Sequence, residues 1–145
     1  MNQRSIIAIT LISAVLGMAV VGYFKAVPAV ENLTNTRSRI EVTPKSFDFG
    51  EIEYGLVAKH TFKIKNLGKE TLEIRNVATS CACTTAKALQ EKINPGEETE
   101  LLVRYDTSAM GNSSHGKGAQ ERIIYIKSND PASPQVEVTI QAYVK

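Results

Sequence analysis

The sequence of 145 residues contains no tryptophan, two histidines and two cysteines, and 6% of it is aromatic. An antibody-type immunoglobulin core, which packs a tryptophan on a disulfide between distant cysteines, is therefore excluded. Past residue 39 no stretch keeps a sustained helical period, which excludes helix bundles and doubly wound α/β folds; residues 86–92 alone are expected to form a short helical turn. Phosphate-cradling glycine loops, strand-to-helix nucleophile elbows and acidic calcium-binding loops are missing. Serine and histidine meet at Ser113-Ser114-His115, in a glycine-containing loop with no oriented acid, where His115 is expected to face solvent. Glu97 and Glu98 adjoin on a strand, so their side chains face opposite ways and share no site. Asp130-Pro131 reads as a turn, and Met110 stands alone. No catalytic set emerges, and the chain reads as non-enzymatic.

An excess of basic charge is missing too. From residue 40 onward 13 Lys and Arg face 14 Asp and Glu, and lysines such as Lys63 and Lys65 alternate singly along a strand. A nucleic-acid binder needs a basic stripe with interleaved aromatics, so nucleic acid is excluded as a partner.

What the chain does have is one long apolar run. Residues 5–24 carry no charge, and twenty residues at ~1.5 Å each reach ~30 Å, the thickness of a bilayer hydrocarbon core. The run is read as a transmembrane helix or signal sequence behind a cytoplasmic N-terminus at residues 1–4. Small residues around Val27-Pro28-Ala29 offer a cleavage point, and cleavage would make the product secreted. Its length, beyond the ~7–15 residues of a signal core, favours an anchor. Residues 25–39 are polar and aperiodic, as in a flexible linker, and residues 40–145 form the domain. That domain is expected on the extracytoplasmic side, periplasmic or at the cell surface.

Within the domain the period is two. Phe47 and Phe49 alternate with polar neighbours, as do Phe62 and Ile64, Leu72 and Ile74, Leu101, Val103 and Tyr105, Ile124 and Ile126, and Val136 to Val144. Asn66-Leu67-Gly68-Lys69, Pro95-Gly96 and residues 128–134 supply the turns. Strands at this spacing predict an all-β, immunoglobulin-like β-sandwich of about seven or eight strands. With tryptophan absent, Phe47, Phe49, Phe62, Tyr105 and Tyr125 are expected to supply the bulk of its core.

The ordered motifs Phe47-Asp48-Phe49-Gly50, Gly55, Phe62-Lys63-Ile64-Lys65-Asn66-Leu67-Gly68, Ser80-Cys81-Ala82-Cys83-Thr84, Pro95-Gly96-Glu97 and Ser128-Asn129-Asp130 carry a resemblance. Over residues 41–145 the chain resembles the bacterial domain of unknown function 1573, which is similar to the ASH and major-sperm-protein branch of immunoglobulin-like domains. The resemblance implies an exported β-sandwich of uncertain role and does not imply an enzyme. Its central motif usually has Gly between the cysteines, where this chain has Ala82, so a positive φ there would carry a cost.

Cys81 and Cys83 admit three readings. In extended backbone their Cα atoms would lie ~6.5–7 Å apart, at the limit of disulfide geometry, so a disulfide requires a bend and would be a labile redox pair more than a staple. Two thiolates on one side of a strand also suit copper(I), for which His60 is a further candidate ligand, although its strand position suits a hydrogen-bonded, partly buried ring. Or both are small buried side chains. In the chemical readings Thr84 or Ser80 would tune the sulfurs by hydrogen bonding. No cofactor other than copper(I) is expected. The function expected is a membrane-anchored binding or structural module of the cell envelope, engaging a protein or envelope component through an edge strand, with copper binding or thiol redox chemistry as the alternative.

Overall fold

The computed structural model describes residues 37–109 and 116–145. The apolar run at residues 5–24, Met110 and His115 lie outside the described residues.

Among the described residues nine strands build two sheets: β1 (Ile40–Thr43), β2 (Ser46–Ile52), β3 (Val57–Asn66), β4 (Leu72–Thr79), β5 (Thr84–Ala88), β6 (Lys92–Ile93), β7 (Glu98–Asp106), β8 (Gly118–Ser128) and β9 (Gln135–Val144). One sheet runs β1-β3-β7-β5 and the other β2-β9-β8-β4-β6, and β2 lies parallel to β9. The count exceeds the seven or eight expected for two local reasons. The first strand divides at Pro44, which has no N–H for either ladder, so β1 serves one sheet and β2 the other. The two-residue β6 closes the far edge against Leu72 and Glu73. Residues 84–88, where a helical turn was expected to begin, are instead strand, paired with β7 from Thr84↔Tyr105 to Ala88↔Leu101. Ala and Lys favour helix in isolation, but a full ladder with β7 outweighs so small a propensity.

The two sheets face each other across an aliphatic core. Val42, Phe62, Ile64, Leu72, Ile93, Leu101, Ile124 and Ile126 are fully buried. Each contributes roughly 1.5–3 kcal/mol, with the smaller Val42 toward the lower end. The core is aliphatic where an aromatic one is expected from the sequence. Phe62 and Tyr105 are buried, Phe47 and Phe49 are partly buried against the core, and Tyr125 points out of it. Tyr125 lies between Ile124 and Ile126, so the two-residue period places it on the opposite face of β8.

Strand direction gives the domain two distinct ends. The chain enters beside the end of β3, where Ile40 pairs with Asn66, and the ten residues of β3 separate this end from the other by ~30 Å. Residues 37–39, at the end of the expected linker, are pinned at the entry. Leu67 N–H donates to Arg39 O at 2.8 Å, Lys69 N–H donates to Arg37 O at 3.1 Å, and Ser38 is buried. Gly68 is required here, since a Cβ would lie 2.0 Å from Arg37 O and 2.6 Å from Arg39 N.

Candidate functional site

The end opposite the entry carries the cysteines. Cys81, Ala82 and Cys83 form the turn between β4 and β5, and the two cysteines are joined in a disulfide. Extended backbone would hold their Cα atoms ~6.5–7 Å apart. The turn brings them to 5.2 Å. Local hydrogen bonds make the bend: Thr79 Oγ1 donates to the carbonyls of Cys81 at 3.0 Å and Thr84 at 2.9 Å, and Thr84 N–H reaches back to Cys81 O at 3.3 Å. Asp106 N–H holds Cys83 O at 2.8 Å, which ties the turn to β7. Ser80 ties it to β8, donating N–H to Ile123 O and accepting Ile123 N–H at 3.0 Å. A three-residue covalent ring removes little unfolded-state entropy, ~1.6 kcal/mol, so these bonds and not the disulfide hold the turn.

The sulfurs are not equivalent. Cys83 is 2% exposed while Cys81 is half-buried. Arg122 donates from Nε to Cys83 Sγ at 3.1 Å, its Nη1 bonds Glu121 O at 2.7 Å and its Nη2 bonds Gln120 Oε1 at 2.5 Å. The guanidinium lies 5.7 Å from the ring centre of Tyr105. Burial pushes the Tyr105 phenol above its ordinary pKa, with Arg122 pulling the other way. Thr84 Oγ1 sits 3.5 Å from Cys81 Sγ and 3.7 Å from Cys83 Sγ, and since a disulfide has no hydrogen to give, the hydroxyl is the donor. Of the two residues expected to tune the sulfurs, Thr84 touches them and Ser80 serves the backbone of β8. Arg122 is the residue the sequence reading missed. The signal for it was parity: it is in phase with the inward-facing Ile124 and Ile126, and a charge at an inward position asks for a partner.

His60 does not join this site. It packs face to face on Phe47 with ring centres 3.6 Å apart, and edge to face with Phe62 at 4.6 Å. The groups touching the sulfurs are Arg122 and Thr84, and among the described residues no three His, Cys, Asp or Glu side chains gather as a metal site. A disulfide also offers no thiolate, so copper(I) would need the pair reduced first. The hydrogen-bonded ring expected for His60 is corrected in part: its Nε2 is buried and has no partner among the described residues.

Burial lowers the His60 pKa below its ordinary 6.5. The fold therefore prefers the neutral ring, and its contribution to stability is complete above pH 6.5 and is lost as pH falls toward the lowered folded value. The slope cannot exceed ~1.4 kcal/mol per pH unit for one proton. Urea midpoints of the parent are expected to drop between about pH 7 and about pH 5.5, and the drop is expected to shrink in His60→Leu. Equal drops in the two proteins would show that the ring carries no linkage.

The family described as protein of unknown function, DUF1573, matches residues 40–144. The chain belongs to the DUF1573 family. Among solved structures, this DUF1573 domain is similar to a protein of unknown function from Porphyromonas gingivalis W83, with 26% identity over 83% of this chain and 50% of that one, at a TM-score of 0.66. It is also similar to the ASH/PapD-like domain 7 of human CEP192, with 10% identity, 77% and 87% coverage and a TM-score of 0.53. The YadV chaperone aligns with 9% identity, 73% and 52% coverage and the same TM-score of 0.53. The chain thus spans half the length of the Porphyromonas protein, and the last two likenesses concern the fold alone. No curated protein matches the chain in sequence.

The DUF1573 motifs have visible structural duties. Ala82 has no positive φ, so the conformational cost foreseen for replacing Gly does not arise. The side chains of Asn66, Asn129 and Asp130 bind backbone at the entry end, and Gly68 lies close against the backbone of residues 37–39 there. Only the cysteine motif lies at the other end with a reactive group.

Proposed function

We propose that the chain is a membrane-anchored, extracytoplasmic, non-enzymatic module that binds a protein or envelope component along the free edge of β5. The anchor is the uncharged run at residues 5–24, and the entry end of the domain is where that run leads. The observation that carries the reading is the state of the four sheet edges. β6 has two residues, and β1 has four and stops at Pro44. β2 is interrupted by a bulge between Asp48 and Glu51, with two acidic side chains beside Gly50. These are the devices that discourage strand addition. β5, five residues long, has no proline, bulge or acidic side chain and Lys87 as its single charge: it pairs with β7 on one side, borders a cleft of about 210 Å³ lined by Val77, Ala86 and Glu91 on the other, and is followed by Leu89 at 55% exposure. An extended segment can add to such an edge through main-chain hydrogen bonds.

Photo-crosslinkers at the exposed Thr85 and Lys87, compared with crosslinkers at Glu51 and Lys65, test this in intact cells. One discrete product from the β5 positions alone is the expected result. Products from Glu51 or Lys65 with none from β5 would overturn the edge assignment.

A further inference from the structure

The geometry points to the Cys81–Cys83 disulfide as a reducible two-electron site at the exposed tip of the domain, attacked at Cys81 by a dithiol donor, with Arg122 positioned to receive the Cys83 thiolate. This goes beyond the binding module, since neither β5 nor a partner on its edge enters the chemistry.

Three observations converge on it. Cys81 is the more exposed of the two residues, half-buried against 2% for Cys83, which favours attack by an external thiolate at Cys81. Attack on one sulfur expels the other, so the shielded Cys83 is the leaving group. Arg122 Nε already lies 3.1 Å from Cys83 Sγ, and a guanidinium at that distance stabilises a thiolate far more than a neutral disulfide sulfur. Thr84 Oγ1, within 3.5 Å of Cys81 Sγ and 3.7 Å of Cys83 Sγ, can follow the charge from one sulfur to the other. Since the surrounding hydrogen bonds hold the turn, opening the S–S bond leaves it standing.

A donor thiolate bonds to Cys81 Sγ while the Cys81–Cys83 bond breaks and its electron pair leaves on Cys83 Sγ. The donor's second thiol, losing its proton, then attacks its own sulfur in the mixed disulfide and releases Cys81 as a thiolate. Two electrons pass to the cysteines, the proton of the donor's second thiol goes to the Cys81 thiolate, the donor's negative charge ends on the Cys83 thiolate, and the donor leaves as its disulfide. Arg122 touches the sulfur that carries the charge and otherwise acts by position.

The test uses the full chain in detergent without denaturant. Dithiothreitol is expected to convert the folded protein to a dithiol, read as two alkylations in the intact mass with unchanged circular dichroism. Glutathione is expected to form its mixed disulfide on Cys81 and not Cys83, which needs no variant. Arg122→Gln is expected to slow reduction about fivefold and to raise the midpoint at which the buried thiolate's ultraviolet absorbance appears in the reduced protein, with partial rescue by Arg122→Lys. Reduction only after unfolding, adducts mainly on Cys83, or an Arg122→Gln protein that folds and keeps the parent's rate and thiolate midpoint would each overturn the assignment.

Discussion

Asn66→Ala is expected to remove about 3–5 kcal/mol of stability, a large fraction of the ~5–15 kcal/mol that holds a domain of this kind together. The side chain is fully buried and makes four hydrogen bonds. Its Nδ2 donates to Glu70 O at 2.8 Å and Ile93 O at 2.9 Å, and its Oδ1 accepts Gly68 N–H at 2.9 Å and Arg39 N–H at 3.3 Å. Truncation strands four backbone groups, Ile93 O and Gly68 N–H in buried bonds and Glu70 O and Arg39 N–H in part-buried ones, and each buried orphan costs ~1–3 kcal/mol. The side chain also joins the residues before β1, the turn after β3 and the end of β6, so the loss is shared by the whole entry end. Urea unfolding measures the total. Hydrogen exchange at Leu67 and Lys69, whose amides bind Arg39 O and Arg37 O, locates it. A change below about 1 kcal/mol, with both amides still protected, would mean that the four contacts are dispensable.

The sequence was readable wherever a side chain's face decides its fate. Phe62 and Ile64 in β3, Leu101 to Tyr105 in β7 and Val138 to Val144 in β9 all turn inward as the two-residue period requires. Reading failed where tertiary partners decide. The β5 ladder exists because β7 is available to pair with it, which no local propensity of Ala86 or Lys87 encodes. Size alone puts Tyr125 in the core, and the parity that Ile124 and Ile126 set puts it outside. The cysteines were judged on extended backbone, and the bend that brings their Cα atoms to 5.2 Å comes from the side chain of Thr79 and from Asp106 on a distant strand. Arg122 is separated from Cys83 by 39 residues, and only the pairing of β8 with β4 brings them together.

Asp130→Asn is expected to cost about 2–3 kcal/mol although it preserves shape. The carboxylate is buried and accepts from three backbone amides: Oδ2 from Ile40 N–H at 2.9 Å, and Oδ1 from Ala132 N–H at 2.8 Å and Ser133 N–H at 3.2 Å. An acceptor-only group suits three donors, and an amide cannot match it. With its NH2 toward Ile40 it faces one N–H and leaves that amide unsatisfied; flipped, it faces two. The amide therefore takes the first orientation, keeps the turn at Ala132 and Ser133, and breaks the link that holds β1 to the loop before β9. Asp130→Ala loses all three bonds and is expected to cost more than Asp130→Asn, with the same loss of protection at Ile40 and added loss at Ala132. Denaturant midpoints rank the two variants, and amide exchange separates them: Ile40 unprotected in both, Ala132 unprotected in the alanine variant alone. If Ile40 stays protected in Asp130→Asn, the hydrogen bond across the entry is not what anchors β1, and the buried motif at residues 128–130 would then be holding only its own turn.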